Sequence, residues 1–261
     1  MDDIFDLRQG DCLELMKEIP DGSVDMILCD LPYGTSACKW DSVIPFADLW
    51  KAYERIIKDN GAIILFGCEP FSSALRMSNL RLYKYDWKWE KPIGANFLNF
   101  KYQPAKVHED IIVFGKKASS YSRKGNMTYY PQMGSGKPYS FKSGRHEVYN
   151  ATATVRSPIK QVVSTSDGSR YPRSIIRFKL DTEKLHPTQK PVALLEYLIK
   201  TYTSPGEVVL DNCMGSGSTG VACVNTGRSF IGMELDAGYY ETACKRIKEA
   251  QQDGGQLMLD I

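Results

Sequence analysis

The sequence predicts an α/β fold, a mostly parallel sheet of seven strands with helices on both faces. Short continuous apolar runs, the mark of strands covered on both sides, recur along the chain and are separated by segments of helical period. A late strand also runs into a glycine turn that opens a helix, as in nucleotide-binding sheets. The chain has 261 residues and is 43% hydrophobic, enough to bury one good core with a smaller inserted region.

In chain order the strands are a weaker run at Phe5–Gln9, then Val24–Asp30, Ala62–Gly67, Tyr85–Glu90, Asp110–Phe114, Val208–Asp211 and Ser229–Leu235. The segment 46–58 sets Phe46, Leu49, Trp50, Tyr53, Ile56 and Ile57 on one helical face and stops before Gly61. Val192–Tyr202 starts just after Pro191, with Leu194, Leu195, Leu198 and Ile199 at core spacing. Ala237–Gln251 reads as a polar-faced closing helix. Strands alternating with helices imply parallel pairing.

A net charge of +2 hides an asymmetry. Residues 116–185 carry 14 Lys and Arg against 4 Asp and Glu, a net of +10, while the remainder carries a net of −8. A basic segment in an acidic protein is the footprint of a phosphate backbone, and six tyrosines interleaved with the charge are suited to stacking. The other reading is a solvated insert. The segment shows neither period and is expected to be irregular with a few short strands. No apolar stretch approaches the roughly 20 residues of a membrane span. Met1-Asp2-Asp3 lacks the basic-then-apolar plan of a signal peptide, so a cytoplasmic protein is expected. The seven cysteines hold no C-x-x-C pair and no zinc-like spacing; reduced thiols and no metal are expected.

Gly215-x-Gly217-x-x-Gly220 satisfies the dinucleotide fingerprint, and Glu234 ends the next strand, where a carboxylate can accept ribose hydroxyls. A nicotinamide enzyme is the competing reading. Only 27 residues follow Glu234, too few for the βαβ units that complete such a fold, so the remaining strands come from the N-terminal half.

Asp30-Leu31-Pro32-Tyr33 ends the early apolar run, and Asp211-Asn212-Cys213-Met214-Gly215-Ser216-Gly217 ends the late one. In this order the two resemble the β-class amino-methyltransferases of DNA, which use S-adenosylmethionine (SAM). The resemblance covers nearly all the chain outside 116–185 and implies a Rossmann-like methyltransferase fold with permuted motif order. It implies a catalytic half at 1–115, a target-recognition insert at 116–185, a SAM-binding half at 186–253 and a flexible tail at 254–261. His186-Pro187-Thr188-Gln189-Lys190-Pro191 resembles the family's segment whose lysine and polar groups meet the methionine carboxylate. Gly10-Asp11-Cys12 resembles its turn near the adenine of the cofactor. The cofactor set implied is therefore Asp11, Cys12, Asp30, His186, Thr188, Gln189, Lys190, Asp211, Asn212, Cys213, Gly215, Ser216, Gly217, Glu234 and Leu235.

At the acceptor end, Asp30 and the Leu31 carbonyl would take the two hydrogens of an exocyclic amine, and Tyr33 would stack on a flipped base. The family's usual string has proline where this chain has Leu31; the acceptor there is a backbone carbonyl, and Pro32 already holds Leu31 extended. An Asp in first place points to adenine N6, with cytosine N4 as the alternative. A non-catalytic DNA-binding regulator on the same fold, or methylation of RNA or protein, are the readings from other classes. The loop 34–41 carries Trp40-Asp41, which resembles a mobile loop closing on substrate. Trp87, Trp89, Lys91 and His108-Glu109 resemble the strand pair lining the base pocket. Lys116, Lys117, Arg123, Lys124, Arg170, Arg173 and Arg177, with Trp40, are the candidate contacts to duplex DNA. Relatives dimerise, although no face here singles out a homodimer. Gln256–Ile261 resembles the short peptides that dock on the bacterial sliding clamp; a disordered or back-packed tail is the alternative. The resemblance implies a bacterial, phage or prophage source.

Overall fold

A computed structural model describes residues 5–34, 42–142, 163–182 and 188–259, the last six of these by backbone only. The chain forms two compact units, one of residues 1–130 with 174–261 and a smaller one of residues 131–173.

The larger unit is built on one sheet. Its strands are β1 (Phe5–Gln9), β2 (Val24–Cys29), β3 (Ile57–Gly67), β4 (Tyr83–Ala95), β5 (Lys106–Gly115), β10 (Ile175–Arg177), β11 (Val208–Asp211) and β12 (Ser229–Glu234). The order across it is β1-β12-β11-β2-β3-β5-β4-β10. Only β5 runs antiparallel to its neighbours β3 and β4; all other pairs are parallel. The seven strands read from the sequence are all present. The eighth, β10, lies in the stretch expected to be irregular and extends the sheet beside β4, with the Lys88 amide donating to the Ser174 carbonyl at 2.7 Å.

Helices α1 (Cys12–Leu15), α2 (Phe46–Ile56), α3 (Phe71–Ser78), α4 (Val192–Tyr202), α5 (Ser218–Thr226) and α6 (Ala237–Leu259) cover both faces. Alternation along β2 separates the two cores. Met26 and Leu28 join Leu194, Leu198, Ala222 and Ile247, whereas Ile27 and Cys29 join Met16, Leu49, Tyr53 and Leu75. Helix α2 stops at Ile56, two residues before the expected end, because β3 starts at once and Lys58 reaches back to the Asp25 carboxylate at 2.7 Å. Helix α6 is longer than expected: its backbone stays helical through Gly254-Gly255, where a flexible tail was expected. Two glycines cost a helix about 2 kcal/mol together, which does not by itself end it. Among the described residues no helix is long and apolar enough to cross a membrane.

The smaller unit consists of two short antiparallel pairs. β6 (Gly134–Ser135) pairs with β9 (Ser169–Arg170), and β7 (Tyr139–Lys142) pairs with β8 (Val163–Ser166). It is shorter than the expected insert of 116–185 because both flanks belong to the larger unit. Residues 116–130 are tied down by the buried Met127, whose amide donates to Ala118, and by the Tyr130 amide on the Thr201 carbonyl. Residues 175–177 are β10.

Candidate active site

Strands β1, β12, β11 and β2 are mutually parallel neighbours, so their carboxyl ends share one edge of the sheet. Ligands of open α/β sheets bind in the crevice at such an edge. A cleft of about 470 Å³ opens there, lined from Gly10-Asp11-Cys12, Asp30–Tyr33, Thr188–Lys190, Asp211–Ser216 and Glu234-Leu235. It thus gathers the residues read from the sequence for both halves of the reaction. Gly217 does not line it, and His186 and Trp40 fall outside the described residues.

The glycine-turn end is built by neutral hydrogen bonds and close packing. Asp211 is buried; its carboxylate accepts from the Thr219 hydroxyl at 2.6 Å and the Cys213 amide at 3.1 Å. Burial pushes its carboxyl up to about 6, partly countered by those donors. Asp211 therefore braces the turn. Asn212 accepts the Tyr53 hydroxyl at 2.5 Å, a link from α2 that the sequence reading assigned only to core. Gly217 takes φ +80 and caps α5, and a Cβ there would lie 2.9 Å from the Ala243 Cβ. A Cβ on Gly220 would lie 2.3 Å from Ile247 Cδ1 and 2.9 Å from the Phe230 ring. These two glycines admit helix α6 against the turn. Cys12, Cys29 and Cys213 cluster beneath the turn; burial pushes the Cys29 thiol up against its hydrogen bond with Cys213, Cys29 and burial push Cys213 up against its hydrogen bond with Cys12, and Cys213 with burial pushes Cys12 up.

The carboxylates at this end have capacity to spare. Glu234 accepts the Gly215 amide at 2.8 Å on one oxygen and the Asp236 amide at 2.9 Å on the other. Each oxygen keeps a second lone pair toward the cleft, which suits two ribose hydroxyls. Asp11 caps α1 by accepting from Leu13 at 2.8 Å, and it also lines the cleft. The chemistry of this donor and acceptor set fits SAM. Gln189 bonds Asp181, which accepts the Val192 amide and so starts α4; the sequence reading gave that role to Pro191 alone.

The acceptor end is ionic. Asp30 Oδ1 accepts the Tyr33 hydroxyl at 2.6 Å, and Oδ2 pairs with Lys190 Nζ. Lys190 is buried, lies 3.6 Å from Glu109 Oε2, and sits 5.0 Å above the Phe66 ring. Glu109 Oε1 accepts from Lys91 at 2.7 Å, while its buried Oε2 has no hydrogen-bond partner among the described residues. Burial alone would lower the Lys190 ammonium, but Asp30 and Glu109 raise it; burial alone would raise the Glu109 carboxyl, but Lys190 and Lys91 hold it down. The resemblance sends Lys190 to the methionine carboxylate. Its ammonium lies on Asp30, as a buried cation flanked by two carboxylates pairs with them. Tyr33, expected to stack on a base, stacks on Phe71 with ring centroids 4.8 Å apart.

Three of the basic candidates already have local partners. Lys116 donates to the Ile57 carbonyl at 2.8 Å, and Arg177 pairs with Glu90 at 2.9 Å. Arg170 donates to Ser166 and Ser169 and lies 4.9 Å from the Tyr139 ring, holding its own unit together. Arg123 and Lys124 are exposed, Arg173 closes the smaller unit, and Lys117 is half-buried.

Fold and cleft define a doubly wound α/β enzyme with an acid at the end of a central strand and a nucleotide-type glycine turn beside it. The DNA methylase model of the N6/N4 amino-methyltransferase family matches residues 24–245, and the chain belongs to this family of SAM-dependent DNA methyltransferases. The DNA adenine methyltransferase YhdJ of Escherichia coli (strain K12) is 25% identical over 256 residues, covering 92% of this chain and 82% of its own. The crystal structure of the M1.HpyAVI–SAM complex is similar at a TM-score of 0.59 and 23% identity, covering 93% of this chain and all of that one. The cytosine-N4-specific PvuII DNA methyltransferase is similar at 0.63 and 14% identity, covering 95% and 91%.

Proposed function

We propose that this enzyme methylates the N6 amine of adenine in duplex DNA. The observation carrying the reading is the Asp30 carboxylate at the end of β2, in the same cleft as Glu234 and the glycine turn. The lone pair of an exocyclic amine is delocalised into the ring, which makes it a poor nucleophile. Asp30 would accept one amine hydrogen and the Leu31 carbonyl the other, drawing the nitrogen toward tetrahedral geometry with its lone pair aimed at the methyl group. Bound SAM supplies an electrophilic methyl. The new carbon–nitrogen bond would form as the methyl carbon's bond to sulfur breaks, and the nitrogen would then shed a proton for which Asp30 is the acceptor at hand. The Tyr33 hydroxyl already donates to Oδ1, which keeps a second lone pair for the amine hydrogen, and Tyr33 would face the base. Lys190 holds the Asp30 side chain in place through Oδ2. Glu234 and Asp11 would hold the cofactor's ribose and adenine, with Thr188, Gln189 and Ser216 nearer its polar tail. The basic region from residue 116 to 185 would hold the duplex.

The Asp in first place and the adenine specificity named for the Escherichia coli relative support N6 over cytosine N4. Nucleoside mass spectrometry of unmethylated duplex DNA after incubation with SAM tests this. N6-methyladenine is expected from the wild type; N4-methylcytosine would correct the base. Separately, Gln256–Ile261 would dock on the sliding clamp, and equal recovery of the full-length chain and a truncation after Gly255 in a clamp pull-down would dismiss that role.

A further inference from the structure

The turn between β4 and β5 exposes an unusual run of side chains. Ile93, Phe97, Leu98, Phe100 and Tyr102 are all exposed, Leu98 at 79% and Tyr102 at 86%. Scattered exposed apolar residues are ordinary, but five within ten positions form a patch. Residues 91–108 also contain three lysines and no carboxylate. The turn is built rather than loose. Asn96 takes φ +63 and accepts the Lys106 amide at 3.0 Å, a single 3-10 turn spans Phe97–Asn99, and Phe100 folds back to within 3.6 Å of where a Gly94 Cβ would stand. Phe97 and Leu98 are left in solvent at its tip. Ala95 pairs with Lys106, three residues before the cleft residue Glu109, so the tip begins about 10 Å beyond the cleft wall on the edge that carries Asp30.

We infer that this tip contacts DNA, Phe97 and Leu98 entering the base stack beside the nucleotide presented to Asp30; the inference rests on the DNA methyl-transfer reading. Aromatic side chains interleaved with lysine bind nucleic acid by stacking and by phosphate contact. A nucleotide taken out of the duplex leaves a gap, and Phe and Leu are among the side chains that wedge between base steps. Lys91 is paired with Glu109, but a second copy covering this patch would still bring Lys101 and Lys106 of each chain together with no carboxylate among residues 91–108, so a polyanion is the better fit.

The test compares Phe97→Ala/Leu98→Ala with a control, Met77→Ala/Leu80→Ala. Met77 and Leu80 are exposed at 68% and 58% but precede β4, at the opposite edge of the sheet. For each, Kd for an unmethylated mixed-sequence duplex, SAM affinity, methyl incorporation and sedimentation are measured. The tip variant is expected to bind duplex about tenfold more weakly and to incorporate less methyl, with SAM affinity and sedimentation unchanged and the control like wild type. Unchanged duplex affinity in the tip variant would overturn the inference, and a simultaneous loss of dimer would reassign the patch to a second copy. A wild type that binds duplex but methylates no DNA would defeat the methyl-transfer reading alone, since the Kd comparison still judges the tip.

Discussion

The two ends of the cleft are built on opposite principles. At the glycine turn, position is set by packing without spare volume, Gly217 against Ala243 and Gly220 against Ile247, with a buried acid bonded to neutral donors. At the acceptor end it is set by charge, with Asp30, Lys190, Glu109 and Lys91 alternating in sign through a partly buried chain. A packed wall holds a cofactor shape in register. A charged chain keeps a carboxylate ionised where desolvation would otherwise neutralise it. Substitutions at the first end should be read out as stability, and at the second as activity and pH response.

The largest expected effect is that of Asp30→Ala. Loss of the amine acceptor should reduce methyl incorporation by about a thousandfold, while calorimetric SAM binding stays within a few-fold of wild type. Lost SAM binding would instead tie Asp30 to the cofactor. Next is Lys190→Met, which strands Asp30 and Glu109 as neighbouring carboxylates. Chemical denaturation should show a loss of about 3 kcal/mol at neutral pH, with much of it regained in Lys190→Met/Glu109→Gln. Without the cation the Glu109 carboxyl loses the larger of the two charges that hold it down; methyl incorporation should also fall while SAM binding stays within a few-fold of wild type, and unchanged incorporation would detach Lys190 from Asp30.

Asp211 gives a comparable effect of the opposite kind. Its folded pKa of about 6 lies above the ordinary aspartate value, so its contribution to stability is full below about pH 4 and is lost as pH rises through about 6. A shift of that size amounts to about 3 kcal/mol across the window. Wild-type stability relative to Asp211→Asn should therefore fall between those pH values, and parallel curves would show that the acid titrates normally. The smallest effect is that of Gly220→Ala, where Ile247 can partly yield; about 1–3 kcal/mol should be lost in denaturation with turnover per folded molecule preserved.

The same contrast explains what the sequence disclosed. Strands such as Val24–Cys29 and Ser229–Glu234 are covered on both faces and read as apolar runs, and the glycine turn is local, so both were legible. β10 was hidden because Ile175 and Ile176 stand in a polar stretch, and its strand character comes from pairing with β4 rather than from its own period. That the 116–130 flank packs with the larger unit was hidden for the same reason, since its charge is local but the burial of Met127 is tertiary. The Lys190 ion pairs were not legible because contacts spanning 160 and 81 residues leave no spacing to detect. Residue types could be assigned to the cleft from a motif, but not the partners each would take within it.

The permuted strand order also bears on how the chain folds. β1, the earliest strand synthesised, has β12 as its sheet neighbour, and β2 meets β11 across about 180 residues. Hairpin β4–β5 can form at once, but the edge that carries the cleft closes only after β11 and β12 have emerged. Loop closure on that scale slows assembly and leaves β1 and the β2 edge unpaired on the ribosome. The order that brings both motifs to one edge therefore makes the active site the last part of the sheet to exist.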